Sequence, residues 1–362
     1  MIPFTQSSSD RYTINNVSYT NSIKGFTLIE LMIALVLGLL ISAAALQIFY
    51  TSSVNSRRQQ ASSDIQDNAI FGFAQIQRHL RRANFGARST ATNDKFFLNH
   101  ETPQGGVVLT APAGTSGNWL ENNLSGLVLG GNAISADLLT RNASSTSISN
   151  IAGATNANSD QLTIQYQAGQ AGLFDCEGDS IPNNFYVIER YFVRLDTTMT
   201  PNVAGLACAS AIYDYNETLA GSATGIDIAT YQHPTDGAKA NNLAGTGTII
   251  IPNVDYFRVR LGLADSRDYA TFPDRANSAY ISIPNTADMA TTIGSNRIVK
   301  LQVGILARSN NPTITEQDNS SLRFTVLDKS NVALNPATTN DRTFLRNVYE
   351  GTVLLRNARG GL

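Results

Sequence analysis

Charge is scarce in this chain. Only 15% of its residues are charged, against the roughly 25% usual in soluble globular proteins. The formal net charge at pH 7 is -2, and no basic block is longer than a pair such as Arg81-Arg82. The electrostatic footprint of nucleic-acid binding is therefore missing. Histidine is as rare: His79, His100 and His233 stand at no metal-ligand spacing. There is no G-x-S-x-G elbow, no H-E-x-x-H pair and no phosphate-loop lysine motif. These absences predict a chain that is not an enzyme, carries no cofactor and takes no nucleic-acid partner. Neutral Asn, Thr, Ser, Gly and Ala fill the gap, a surface suited to an extracytoplasmic or assembled protein. Apolar residues, at 42% of 362, are ample for one large domain or two small ones.

What the chain does have is one long apolar run. From Phe26 to Phe49 the sequence is almost unbroken in its hydrophobicity, and about 20 apolar residues suffice to cross a bilayer as a helix. The run carries a single carboxylate, Glu30. Such a charge costs about 2.5–3.5 kcal/mol at mid-membrane on insertion scales, so its presence needs a reason. Lys24 and Gly25 stand immediately before the run. An ordinary secretory signal has a shorter apolar region with a small-residue cleavage site after it. Ala43-Ala44-Ala45 could serve as that site, but the stretch is too long and the acid misplaced. A plain transmembrane anchor explains the hydrophobicity but neither Glu30 nor the Lys-Gly-Phe junction.

Helical periodicity continues beyond the run. Ile65, Ala69, Phe73, Ile76 and Leu80 recur at three- and four-residue spacings, one face of an amphipathic helix. His79 lies off that stripe and is expected to face solvent. Arg81 and Arg82 followed by Asn84 and Gly86 form a helix-ending pattern, cations for the dipole and Asn or Gly for a left-handed cap. A helix from Phe26 to about Asn84 would be about 90 Å long. Beyond Gly86 alternation takes over, at 162–166, 299–305 and 322–326, each predicted to be a half-buried strand. Residues 185–195 and 254–263 are further strand candidates, and 344–356 reads as helix turning into strand. The stretches 130–160 and 216–248 read as long surface loops, Gly105-Gly106 and Gly130-Gly131 as turns. A long helix followed by antiparallel strands predicts an α+β fold, the helix's amphipathic half covering one sheet face.

In an exported chain, the two cysteines, Cys176 and Cys208, point to one disulfide in an oxidising compartment, with two buried thiols as the alternative. Asp175, Glu177 and Asp179 alternate beside Cys176. Three carboxylates so spaced are a weak candidate for calcium, which wants six to eight hard ligands. The rest of an EF-hand loop is missing, and a solvated acidic turn is the plainer reading.

Gly25-Phe-Thr-Leu-Ile-Glu30 after Lys24 resembles the cleavage and methylation signal of type IV prepilins. Three further elements look like the PilW-type minor pilins: Arg81-Arg82-Ala83-Asn84-Phe85-Gly86, Asp175-Cys176-Glu177-Gly178 with Leu206-Ala207-Cys208, and the closing Val353-Leu354-Leu355-Arg356-Asn357. The resemblance implies a leader over 1–25 removed by prepilin peptidase between Gly25 and Phe26, and N-methylation of Phe26. It implies a stem over 26–86, with 26–49 in the membrane or filament core, and a periplasmic β-rich head over 87–362. By the same resemblance Glu30 pairs with the terminal amine of a neighbouring stem, a pairing that selects register more than it adds stability. The alternative leaves Glu30 idle at headgroup depth. Gly38, mid-stem, would permit local unwinding or close helix packing. The implied function is structural: a minor pilin of an inner-membrane priming complex that starts pilus assembly and stays near the tip, supporting adhesion and twitching. Its partners would be other minor pilins, the major pilin, a tip adhesin and, before assembly, membrane lipid. Two alternatives stand beside it, a tip pseudopilin of type II secretion and a membrane-anchored periplasmic enzyme or binding protein.

Overall fold

A computed structural model describes residues 25–87, 98–112, 122–152, 158–198, 203–235, 237–264, 279–313, 322–335 and 343–355. Residues 1–24, Lys24 included, and the closing Arg356-Asn357 lie outside the described residues. The chain divides into two compact units, Met1–Ser53 and Val54–Leu362.

One helix, α1, runs without a break from Leu28 to Leu80. No proline interrupts it, and its first and second halves meet different surroundings. In the first unit every described residue from Gly25 to Ser52 is exposed, and the best 18-residue window has a mean hydropathy of 2.5. In the second unit Val54, Ala61, Ile65, Ala69, Gly72, Phe73, Ile76, His79 and Leu80 are buried. The predicted stripe is thus the packed face. Gly72 lets the helix approach the sheet closely: a Cβ there would overlap the Ile251 side chain. The helix stops at Leu80, and turns carry the chain on through residues 81–86. Asn84 (φ 68°) and Gly86 (φ 76°) both take the left-handed conformation expected of them.

Two four-stranded antiparallel sheets make up the body of this unit. The first has β1 (Leu162–Gln167), β2 (Tyr186–Asp196), β3 (Val203–Tyr213) and β4 (Thr248–Pro252) in the order β4-β3-β2-β1. The second has β5 (Val254–Ala264), β6 (Ala279–Ser282), β7 (Arg297–Arg308) and β8 (Arg346–Leu354) in the order β6-β5-β7-β8. Between β4 and β5 stands the single residue Asn253, left-handed at φ 58°, where the chain leaves one sheet for the other. Period-two side chains from both sheets meet the helix stripe. Leu162, Ile164, Val187, Tyr191, Val193, Leu206, Val259, Leu261, Leu301, Val303 and Val353 form one core with Ile65, Phe73, Ile76 and Leu80.

Several local expectations need correction. β1 is not half-buried: Thr163 and Gln165, on the face away from the helix, are also buried. The cause is the stretch 130–160 and its neighbours, which cover that face instead of running over the surface. Leu127, Ile134, Leu138 and Leu139 pack there on Ile188, Ala211 and Tyr213. The stretch 216–248 behaves likewise, with Ile226, Ile228, His233 and Leu243 buried. Their Asn- and Thr-rich composition suits this role, because short polar side chains satisfy backbone groups locally. Asn241, for example, accepts from the Ile212 N–H and donates to the Ile212 and Ile228 carbonyls. The stretch 344–356 holds no helix among its described residues from Arg346 on; it is β8, held by nine residues of register against β7.

Candidate functional site

The stem opens on a capped turn. Thr27 precedes the helix, and its Oγ1 accepts the Glu30 backbone N–H at 3.3 Å. Glu30 lies in the first helical turn, where a carboxylate also favours the positive end of the helix dipole. The pattern Thr-x-x-Glu before an apolar run is itself a helix-start signal, and it was legible in the sequence. Phe26, 83% exposed, stands just before this turn beside Gly25. Mid-stem, the bare face of Gly38 meets no atom of this chain within 4 Å, so nothing inside the chain requires its smallness.

A second constellation surrounds the cysteines. Cys176 and Cys208 are joined by a disulfide with Cα atoms 6.1 Å apart. Cys208 lies in the middle of β3, so the bridge ties the turn 175–179 to the first sheet. The acidic turn is not solvated either. Asp175 is buried, its Oδ1 accepting the backbone N–H groups of Glu177 and Asp179, both at 2.9 Å, and its Oδ2 the Ser210 hydroxyl. Glu177 Oε2 accepts from the Ser210 N–H and hydroxyl, while Lys239 Nζ sits on Asp179 and 3.6 Å from Glu177. His233 Nδ1 lies 3.6 Å from Asp175 Oδ2. Burial pushes the Asp175 carboxyl above the usual carboxylate range, against the hydroxyl and backbone donors that favour its charge.

The bridge closes a loop across 32 residues of sequence separation, worth about 3–4 kcal/mol in the chain-entropy description. Replacing both cysteines by serine is expected to lower unfolding stability by about that amount while leaving membrane insertion intact. Chemical denaturation of the two full-length proteins in detergent, with peptide mapping to verify the bridge, measures both effects.

Comparison with known proteins separates the two ends of the chain. Residues 20–46 match the prokaryotic N-terminal methylation motif, and residues 228–357 match the family model of type IV pilus-assembly protein W. The chain is thus similar to type IV prepilins at its start and to the PilW family over its C-terminal part. The second match takes in β5 to β8 and the closing motif; the elements at 81–86, 175–178 and 206–208 lie outside it. No curated protein matches. Among solved structures, a type IV-like pilin from Thermus thermophilus aligns at 10% identity over 81% of this chain and 96% of its own, with a TM-score of 0.33.

The second unit holds a polar centre that the sequence reading missed. His79 does not face solvent: it is buried, and its Nδ1 lies 2.8 Å from Glu189 Oε1. Glu189 is fully buried and also accepts the Tyr166 hydroxyl at 2.9 Å and the Tyr191 hydroxyl at 2.7 Å. Two signals could have found it. His79 follows Gly72 by seven residues and Ile76 by three, which puts it on the stripe's flank. Along β2 the alternation Val187, Glu189, Tyr191, Val193 places the acid on the core face. Burial alone would raise the Glu189 carboxyl. The His79 charge and hydrogen bond, with both tyrosine donors, outweigh it and hold the group below the usual carboxylate range.

Proposed function

We propose that this chain is a minor pilin made as a prepilin, cut between Gly25 and Phe26, methylated at Phe26, and held in the inner membrane by its stem with the head in the periplasm. There it joins other minor pilins in a priming complex, starts polymerisation of the major pilin and remains near the tip, where adhesion and twitching depend on it. The observation that carries this reading is the apolar stem whose one carboxylate, Glu30, sits in the first helical turn inside a methylation motif. A stem with that acid has a use in a bundle of stems, where a neighbour's terminal amine can pair with it, and only a cost in lipid.

Two measurements test the reading together. Mass spectrometry of membrane fractions is expected to find a mature N-terminus at methylated Phe26; an N-terminus at Leu46 would indicate a secretory signal instead. Deleting the gene is expected to leave few surface pili and unassembled major pilin in the membrane. Normal pili with defective protein secretion would assign the chain to a type II secretion pseudopilus.

A further inference from the structure

We propose that Asp175, Asp179 and His233 form a binding site for a divalent transition-metal ion of the zinc class, with the Lys239 ammonium as its built-in competitor. One ligand atom from each of the three residues lies within 4.8 Å of the others. The His233 and Asp175 atoms are already 3.6 Å apart, close to the separation of about 3–3.5 Å that two ligands adopt around an ion bound at about 2.0–2.2 Å. The three side chains are 0%, 13% and 1% exposed for Asp175, Asp179 and His233, so small rotations, and no rearrangement of backbone, would close them on an ion.

The imidazole is the observation that separates this cluster from an acidic turn. His233 is buried, yet among the described residues its one hydrogen bond is a long contact, 3.4 Å from Nδ1 to the Ser180 carbonyl oxygen. That contact keeps a proton on Nδ1, which an ion bound at Nδ1 would displace. The charge inventory points the same way. Three carboxylates, Asp175, Glu177 and Asp179, gather around a single ammonium, which leaves room for further positive charge. The other Asp175 oxygen is fixed by backbone N–H donors and the carboxylate is braced by Ser210, the kind of outer support that orients a ligand. Two oxygens and an imidazole nitrogen suit zinc-class ions; calcium asks for more oxygens than converge here.

Lys239 now occupies the cation's place on Asp179. It stands on a two-residue strand, Lys239–Ala240, paired to Gln232–His233, and its side chain is 42% exposed. It can therefore swing into water when an ion enters. The ion would add a further tie between the disulfide-bearing turn and this ladder, independent of how the stem functions.

The test is isothermal titration of the full-length chain in detergent, stripped of metal, with zinc chloride, and with calcium chloride in parallel. One zinc equivalent is expected, with calcium at least tenfold weaker, and zinc is expected to raise the unfolding midpoint reversibly to EDTA. Lys239→Met, which touches an exposed side chain, is expected to bind zinc at least tenfold more tightly. His233→Ala, shown folded by near-ultraviolet circular dichroism, is expected to bind at least tenfold more weakly. Lys239→Met binding no tighter than the unaltered chain, or His233→Ala binding equally well, would overturn the proposal, as would failure of the unaltered chain and Lys239→Met alike to bind zinc.

Discussion

A Glu30→Ala chain is expected to be cleaved, inserted and folded normally, and yet to fail in assembly. The substitution removes a costly group from lipid, because Glu30 is exposed in the first turn of α1, and its hydrogen bond to Thr27 uses the backbone N–H, which alanine keeps. In a bundle of stems the loss acts on the partner. An amine left unpaired in an apolar bundle costs about 3–5 kcal/mol when fully buried, enough to reduce joining more than a hundredfold. In a deletion strain complemented with Glu30→Ala at normal protein level, surface pili and twitching are expected to fall nearly as far as in the deletion itself. Full piliation from that strain would remove Glu30 from the mechanism. Shearing and quantifying surface pili, with immunoblots of the membrane fraction, reads both outcomes.

The second large effect is expected in the second unit, where His79→Ala would leave Glu189 as a buried carboxylate without its imidazole partner. Breaking a buried pair from one side costs about 3–5 kcal/mol, and the two tyrosine donors of Glu189 offset part of that. Denaturant unfolding of the full-length protein in detergent measures it; a loss below about 1 kcal/mol would mean that the pair does not hold the helix to the sheet. The pH dependence has a definite sign. Glu189 sits below its ordinary value of 4.5 in the folded chain, so it contributes stability above that value and loses it as the pH falls through the lower folded value. Stability is thus expected to drop steeply as acid is added below about pH 4.5. Glu189→Gln is expected to flatten that part of the curve. An unchanged slope would assign the acid sensitivity to other carboxylates.

Much of this could be read from the chain because the underlying physics is local. The stem is apolar by composition, its docking face by a three- and four-residue rhythm, its end by Arg81-Arg82 and two left-handed residues. β2, β5 and β7 are legible as strands from their alternation. With Cys176 and Cys208 the only cysteines, the pairing needed no geometry beyond the expectation of an oxidising compartment. Where the reading failed, it failed on polar residues. Alternation or its absence tells which side of an element faces a core, but not how many cores there are. The polar positions of β1 are buried because stretches that looked like surface loops fold over the back of the first sheet.

The sequence by itself therefore determined the membrane-length stem, its lone acid, the α+β order of elements and the disulfide. Each depends on residue type, short-range spacing or a simple count. Only the tertiary structure decided that His79 meets Glu189 across 110 residues of chain. The same holds for the gathering of Asp175, Asp179, His233 and Lys239 at one point. Such meetings pair side chains from elements whose relative placement is fixed by packing of the whole core. The energy of a buried ion pair lies in the partner, and a one-dimensional pattern names each partner without saying that they touch.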